Sequence, residues 1–145
     1  SKKTTVIKLH GDVSTAAGCI LSKKQYEATY GSGVVDRALP IPQVLEYQYR
    51  NSSLLFLGCS LNQDRTVRVF QAIRDSANKD ATETLDIPQH FAIEQCPRDE
   101  SAMQARNAYL LQLGITPIWF ESGRFECVEG LLRLARNEMR RKRRH

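Results

Sequence analysis

The chain has 145 residues, of which 41% are hydrophobic and 26% are charged. These proportions are typical of one soluble globular domain, which at this length can bury enough apolar surface to fold without a disulfide or a metal. No apolar run approaches the ~20 residues that a membrane-spanning helix needs, and no signal-peptide core follows the N-terminus. We therefore expect a cytoplasmic protein that does not bind membranes.

The net charge of +5 belongs to the end of the chain. Arg140, Arg141, Lys142, Arg143 and Arg144 supply five positive charges, and the rest of the chain carries as many basic as acidic residues. The sequence thus predicts a folded domain over residues 1–139 and a basic tail over 140–145. Because no aromatic-rich basic groove accompanies the tail, a nucleic-acid partner is not expected. Cations also suit the C-terminal end of a helix.

The four cysteines, Cys19, Cys59, Cys96 and Cys127, are far apart in the sequence. Zinc-ribbon ligands come in close pairs, and no such pair is present. We therefore expect four reduced thiols and no bound zinc.

The first half of the chain alternates short apolar runs with helical patterns. In chain order it predicts a strand over Thr4–Leu9, a strand over Cys19–Leu21, a helix over Lys23–Tyr30, a helix over Gln43–Arg50 and a strand over Ser53–Cys59. Two prolines are expected to break the chain just before the second helix. The third strand is continuously apolar, which predicts that both of its faces are covered, as in a parallel sheet.

The second half predicts a helix over Asp64–Ala77, a strand over His90–Gln95, a helix over Asp99–Leu113, a strand over Ile115–Phe120 and a helix from Glu126 to about Met139. A proline inside the last strand indicates that this strand lies at an edge or starts late. The last helix is expected to bury Leu131, Leu132, Leu134 and Ala135. Strands that alternate with helices indicate an α/β fold with a parallel sheet.

Polar residues and glycines follow two of the predicted strands, where open α/β sheets bind ligands. His10 could act there as a general base. Gly58 allows the backbone to approach a ligand closely, and Ser60 and Asn62 suit a ribose or a phosphate ahead of a helix N-terminus. A structural His10, with Ser60 or Asn62 capping the following helix, is the alternative. No glycine-rich dinucleotide fingerprint or P-loop is present.

Four segments resemble the SIR2-like family in the same order and spacing. Val6–Asp12 resembles the His-Gly strand of sirtuins and their relatives, and Ile20–Tyr26 resembles the stretch that follows it in the bacterial SIR2-like branch. Leu54–Leu61 resembles the family's strand and turn "LLFxGxSL", and Ile115–Phe120 resembles its closing strand. The chain thus resembles the C-terminal part of a SIR2-like domain.

The resemblance implies a Rossmann-like sheet flanked by helices, with NAD as the substrate. It makes His10 the general base that acts through the nicotinamide ribose, and it places Gly11, Gly58, Ser60 and Asn62 at the NAD site. The bacterial branch cleaves NAD to nicotinamide and ADP-ribose, often in antiphage defence. The resemblance therefore implies an NAD glycohydrolase.

Two departures from the family bear on this interpretation. Sirtuin deacylases carry a four-cysteine zinc module after the His-Gly motif, whereas this sequence has only Cys19 there, which disfavours deacylation. The family's glycine-rich loop lies upstream of His10 and does not occur in the nine residues that precede it. We therefore expect an incomplete domain that needs an upstream segment or a second protomer. A non-catalytic module that binds NAD or ADP-ribose, or that serves in assembly, and a sirtuin-type deacylase remain alternatives.

Overall fold

The computed structural model describes residues 9–10, 19–62, 64–79 and 87–142. Within these residues the elements are α1 (Lys23–Tyr30), α2 (Pro40–Asn51), β1 (Leu55–Phe56), α3 (Arg65–Lys79), β2 (His90–Gln95), α4 (Glu100–Gln112), β3 (Ile115–Phe120) and α5 (Glu126–Lys142). The three strands form a parallel sheet in the order β1-β2-β3. This architecture confirms the α/β class and is consistent with a Rossmann-like fold.

The chain divides into two compact units. The first contains α1, α3 and the part of α2 up to Gln48. The second contains the sheet, α4, α5 and the last residues of α2. One of the boundaries between them falls between Leu61 and Asn62.

In the first unit, α1 begins where the sequence predicts. The Ser22 hydroxyl accepts a hydrogen bond from the Gln25 backbone N–H at 3.3 Å, and the Gln25 side chain accepts one from the Ser22 N–H at 2.9 Å. This reciprocal capping box satisfies two donors that the helix leaves unpaired. The helix ends at Gly31, whose φ is +101° and where an added Cβ would lie 2.4 Å from the Val34 carbonyl oxygen.

The predicted start of α2 is wrong. The helix begins at Pro40 instead of Gln43, so both prolines lie in its first turn. A helix leaves its first N–H groups without intrahelical partners, and proline, which has no N–H, therefore costs little there. The Gln43 N–H donates to the Leu39 carbonyl at 3.0 Å and closes this turn.

The predicted apolar face of α3 is confirmed. Val67, Phe70 and Ile73 are each at most 1% exposed. Their spacing of three residues places them on one side of the helix, where they form much of the first unit's core.

In the second unit, β2 lies between β1 and β3. His90 to Gln95 pair in register with Ile115 to Phe120, so β3 is an edge strand of the described sheet, as its proline predicts. His90 is fully buried, and its Nδ1 accepts a hydrogen bond from the Leu54 N–H at 3.2 Å. This histidine therefore joins β2 to the start of β1.

Two strand predictions in the first half are wrong. β1 is two residues long, and Leu55 and Leu57 are 48% and 47% exposed, so the strand is not covered on both faces. The chain turns away from the ladder at Gly58, whose φ is +66°. Residues 19–21 form no strand, and the Ile20 N–H donates to the His10 carbonyl at 3.0 Å. The strand predicted over Thr4–Leu9 lies outside the described residues, except for Leu9, which is in a turn.

α4 is confirmed: Asp99 caps its N-terminus, and Gly114 has the predicted left-handed conformation after it, with a φ of +70°. The Tyr49 hydroxyl donates to the Leu113 carbonyl at 2.5 Å and so satisfies a group at the end of the helix.

The buried face predicted for α5 is wrong in part. Leu131 and Leu132 are half-buried, but Leu134 is 64% exposed and Ala135 is also exposed. Burial along α5 ends at Leu132, because every described position from 133 to 142 is exposed. Ala135 is among them although it continues the stripe of positions 128, 131 and 132, since each residue advances about 100° around the helix. The first residues of the predicted basic tail, 140–142, continue α5, and 143–145 lie outside the described residues. Among the described helices, none is long and apolar enough to span a bilayer.

Candidate functional site

The predicted site residues fall in different parts of the chain. His10 and Asn62 belong to the first unit, whereas Gly58 and Ser60 belong to the second. All four are exposed. Gly11 lies outside the described residues, and its predicted role stays a prediction.

In the first unit, His10 lies against two tyrosines of α1. Its Nε2 is 2.8 Å from the Tyr30 hydroxyl oxygen, and its ring meets the Tyr26 ring edge-on, with centroids 5.2 Å apart. Tyr26 and Tyr30 are one helical turn apart and stack on each other at 6.0 Å. The helical spacing of these tyrosines therefore builds a support that fixes the orientation of the imidazole.

Tyr30 is fully buried, and this burial raises the pKa of its hydroxyl above the ordinary value of 10.0. A side-chain hydrogen bond with Thr66 opposes the rise but does not cancel it. Tyr30 is therefore a neutral phenol at neutral pH. It links Thr66 on α3 to His10, and the three side chains form a hydrogen-bonded chain.

His10 and Tyr26 line a cleft of about 500 Å³ together with Asp64, Arg65, Thr66 and Arg68 at the start of α3. Arg65 is held in place by a 2.8 Å hydrogen bond to the Gly31 carbonyl. Two arginines and a helix N-terminus give this cleft a positive electrostatic potential, despite one carboxylate. The cleft therefore suits a polar ligand that carries negative charge.

Asp64, and neither Ser60 nor Asn62, caps α3. Its Oδ1 accepts a hydrogen bond from the Val67 N–H at 2.8 Å, so the capping role considered for the other two residues is wrong. The Asn62 carbonyl accepts from the Asp64 N–H at 2.7 Å and shapes the turn before the helix.

In the second unit, a cleft of about 400 Å³ lies at the carboxyl ends of all three strands. Gly58 and Cys59 line it where β1 ends, Glu94 where β2 ends, and Phe120 and Phe125 at and beyond the end of β3. A mostly apolar pocket with one carboxylate at this edge is the usual place for a ligand in an open α/β domain.

Several residues around the two clefts were not predicted from the sequence. Arg65 and Arg68 lie in the first turns of α3, directly after the segment that contains Gly58, Ser60 and Asn62. Their position in the sequence could have indicated a basic site there. Glu94 and Arg106 form a two-pronged ion pair, with contacts of 2.7 Å and 3.1 Å, across twelve residues of sequence. No local pattern indicates such a pair.

None of the four cysteines, all of which the structure describes, forms a disulfide. Within the described residues, no three histidine, cysteine or acidic side chains are grouped so that they could hold a metal ion.

The parallel sheet of the second unit is consistent with a Rossmann-like α/β fold. The chain belongs to the SIR2-like domain family, whose model matches residues 1–118. Members of this family generally use NAD as a substrate, so membership indicates NAD-dependent activity. Comparison with curated proteins and with solved structures gives no significant match.

Proposed function

We propose that this chain is part of an NAD glycohydrolase, which cleaves the bond between nicotinamide and ribose and releases nicotinamide and ADP-ribose. The observation that carries the proposal is the position of His10. Its exposed ring faces a positively charged cleft in a member of a family that uses NAD, and a buried tyrosine holds the ring.

His10 would act as the general base. In the tautomer whose Nε2–H donates to the Tyr30 oxygen, Nδ1 keeps its lone pair and can accept a proton from a ribose hydroxyl or from water. The hydrogen bond to Tyr30 would then stabilise the imidazolium that forms. This division of roles, with one ring nitrogen held and the other reacting, is common among catalytic histidines.

The remaining candidates fall into two groups, one in each unit, and each group offers contacts that suit a nucleotide. Arg65 and Arg68 would attract the negatively charged diphosphate of NAD towards the first cleft. Gly58 would allow close approach of the backbone in the second cleft, and Ser60 and Asn62 would offer hydrogen bonds to ribose or phosphate oxygens. The apolar lining around Phe120 and Phe125 suits a flat base.

The test compares NAD consumption by the natural full-length protein with that of His10→Ala. Loss of a general base lowers turnover by roughly 10²–10⁴-fold. His145→Ala, the same change at the last residue of the sequence, is the matched control and should keep full activity. Circular dichroism and NAD binding should be the same in both variants. Retained turnover in a folded His10→Ala protein would refute the proposal.

A non-catalytic nucleotide-binding role makes the opposite prediction. Wild type would then bind NAD or ADP-ribose saturably and release no nicotinamide.

We also propose a role in antiphage defence, as in the bacterial branch that the sequence resembles. It predicts that cellular NAD falls during phage infection with the wild-type protein and stays constant with His10→Ala.

A further inference from the structure

A single arginine of α4 joins three parts of the second unit. Arg106 donates from Nε and Nη2 to the two carboxylate oxygens of Glu94 on β2, at 3.1 Å and 2.7 Å. The same guanidinium donates to the backbone carbonyls of Ser60, at 2.5 Å, and Leu61, at 3.3 Å. Both charged side chains are largely buried, with exposures of 18% and 14%. Arg106 thus binds a carboxylate and two loop carbonyls at once.

The loop that Arg106 contacts has an unusual backbone. It runs from Gly58 to Leu61, and the φ angles of these two residues are +66° and +42°. Glycine adopts this left-handed region readily, whereas leucine does so at a cost in conformational energy. The Leu61 side chain is 2% exposed. Strained backbone of this kind persists where surrounding contacts enforce it, and it is concentrated at functional sites.

We propose that Arg106 is a positioning residue that holds the Gly58–Leu61 loop in the conformation that binds the nucleotide. This inference rests on the proposed function, since it takes Gly58 and Ser60 as nucleotide contacts. Glu94 fixes the plane of the guanidinium, and the remaining N–H groups fix the two carbonyls. Both carbonyls therefore point towards α4, and the loop is already in its bound shape before NAD arrives.

Lysine cannot replace arginine in this role. Its ammonium is a compact charge, whereas the guanidinium presents five donors in a rigid plane. Arg106→Lys can keep a charge opposite Glu94 but cannot also hold two carbonyls in fixed geometry. Arg106→Met removes both interactions and keeps much of the apolar stem. The two variants thus separate the charge from the loop contacts.

The matched control is Arg37→Lys. Arg37 also forms a two-pronged ion pair, with Glu46, and donates to the Ser76 hydroxyl at 2.9 Å, but it belongs to the first unit. The change is chemically the same, and its effect on stability should be similar. It does not touch the loop of the second unit.

Two measurements on the natural full-length protein test the proposal. The first measures KM for NAD and kcat separately at steady state. Arg106→Lys should raise KM about tenfold and change kcat little, because a hydrogen bond to a charged group is lost. The second needs no substrate: thermolysin cuts on the amino side of leucine, so its cleavage of the Ser60–Leu61 bond reports release of the loop. Cleavage should be several-fold faster in Arg106→Lys than in wild type or Arg37→Lys.

Each outcome decides a different point. A folded Arg106→Lys protein with unchanged KM and unchanged cleavage would overturn the proposal. Faster cleavage in a protein whose wild type neither binds nor consumes NAD would refute the proposed function and leave the loop contact in place. If Arg106→Met does not fold, the lysine variant alone decides.

Discussion

The hydrogen bond between Tyr30 and His10 gives the most direct test of how the histidine is held. Tyr30→Phe removes one oxygen atom and keeps the buried ring, its stacking on Tyr26 and its edge contact with His10. The 2.8 Å hydrogen bond to Nε2 is lost, and so is the link to Thr66. The imidazole keeps its place but loses the partner that selects its tautomer and stabilises its protonated form.

The expected size follows from the interaction that is lost. A hydrogen bond of this kind contributes about 0.5–1.5 kcal/mol, which corresponds to a factor of roughly 2–13 in rate. We therefore expect kcat for NAD cleavage to fall about 2–10-fold in Tyr30→Phe, with KM little changed. The fall should be much smaller than that of His10→Ala, since the base itself remains.

The assay is steady-state release of nicotinamide by the natural full-length protein. Tyr47→Phe is the matched control, because it makes the same change at a tyrosine that is 64% exposed and does not line the His10 cleft. That control should keep wild-type kcat. An unchanged kcat in Tyr30→Phe, alongside loss of activity in His10→Ala, would show that Tyr30 does not orient the base.

The remaining predictions concern stability. Because burial raises the pKa of Tyr30 above 10.0, the folded state holds this proton more tightly than the unfolded state does. The stability that this proton contributes is complete below pH 10 and is lost as the pH rises through the folded pKa. In urea unfolding between pH 9 and 11, the free energy of unfolding should therefore fall less steeply with pH in Tyr30→Phe than in wild type. Tyr47→Phe, at a residue that is 64% exposed, should behave like wild type. Ile73→Ala removes a fully buried side chain and should lower the free energy of unfolding by about 2–5 kcal/mol. Leu134 is 64% exposed, so Leu134→Ala should change this free energy by less than about 0.5 kcal/mol, and a large loss would contradict the exposure of the second half of α5.

Local signals in the sequence predict much of the fold. Ser22 and Gln25 define the start of α1 through short-range hydrogen bonds that leave a readable pattern. The spacing of Val67, Phe70 and Ile73 identifies the buried face of α3 in the same way. The last two strands follow from apolar runs bounded by glycine and proline, and the order of the motifs indicates the family.

The errors occur where tertiary contacts decide. Prolines can start a helix as well as stop one, and the sequence before Gln43 does not distinguish these roles. The apolar run at β1 predicts coverage that depends on neighbouring segments, and the exposure of Leu134 depends on where burial along α5 ends. Arg106 and Glu94 meet only in the folded second unit, where a side chain of α4 reaches one of β2. In the site, the sequence predicts His10 but not the tyrosine that holds it.

The measurement that tests the central claim most directly is the release of nicotinamide from NAD by the natural full-length protein, followed by chromatography with and without an acyl-lysine peptide. The account predicts equal amounts of nicotinamide and ADP-ribose, formed without the peptide and lost in His10→Ala. Saturable NAD binding with no nicotinamide released, or release that requires the peptide, would contradict it.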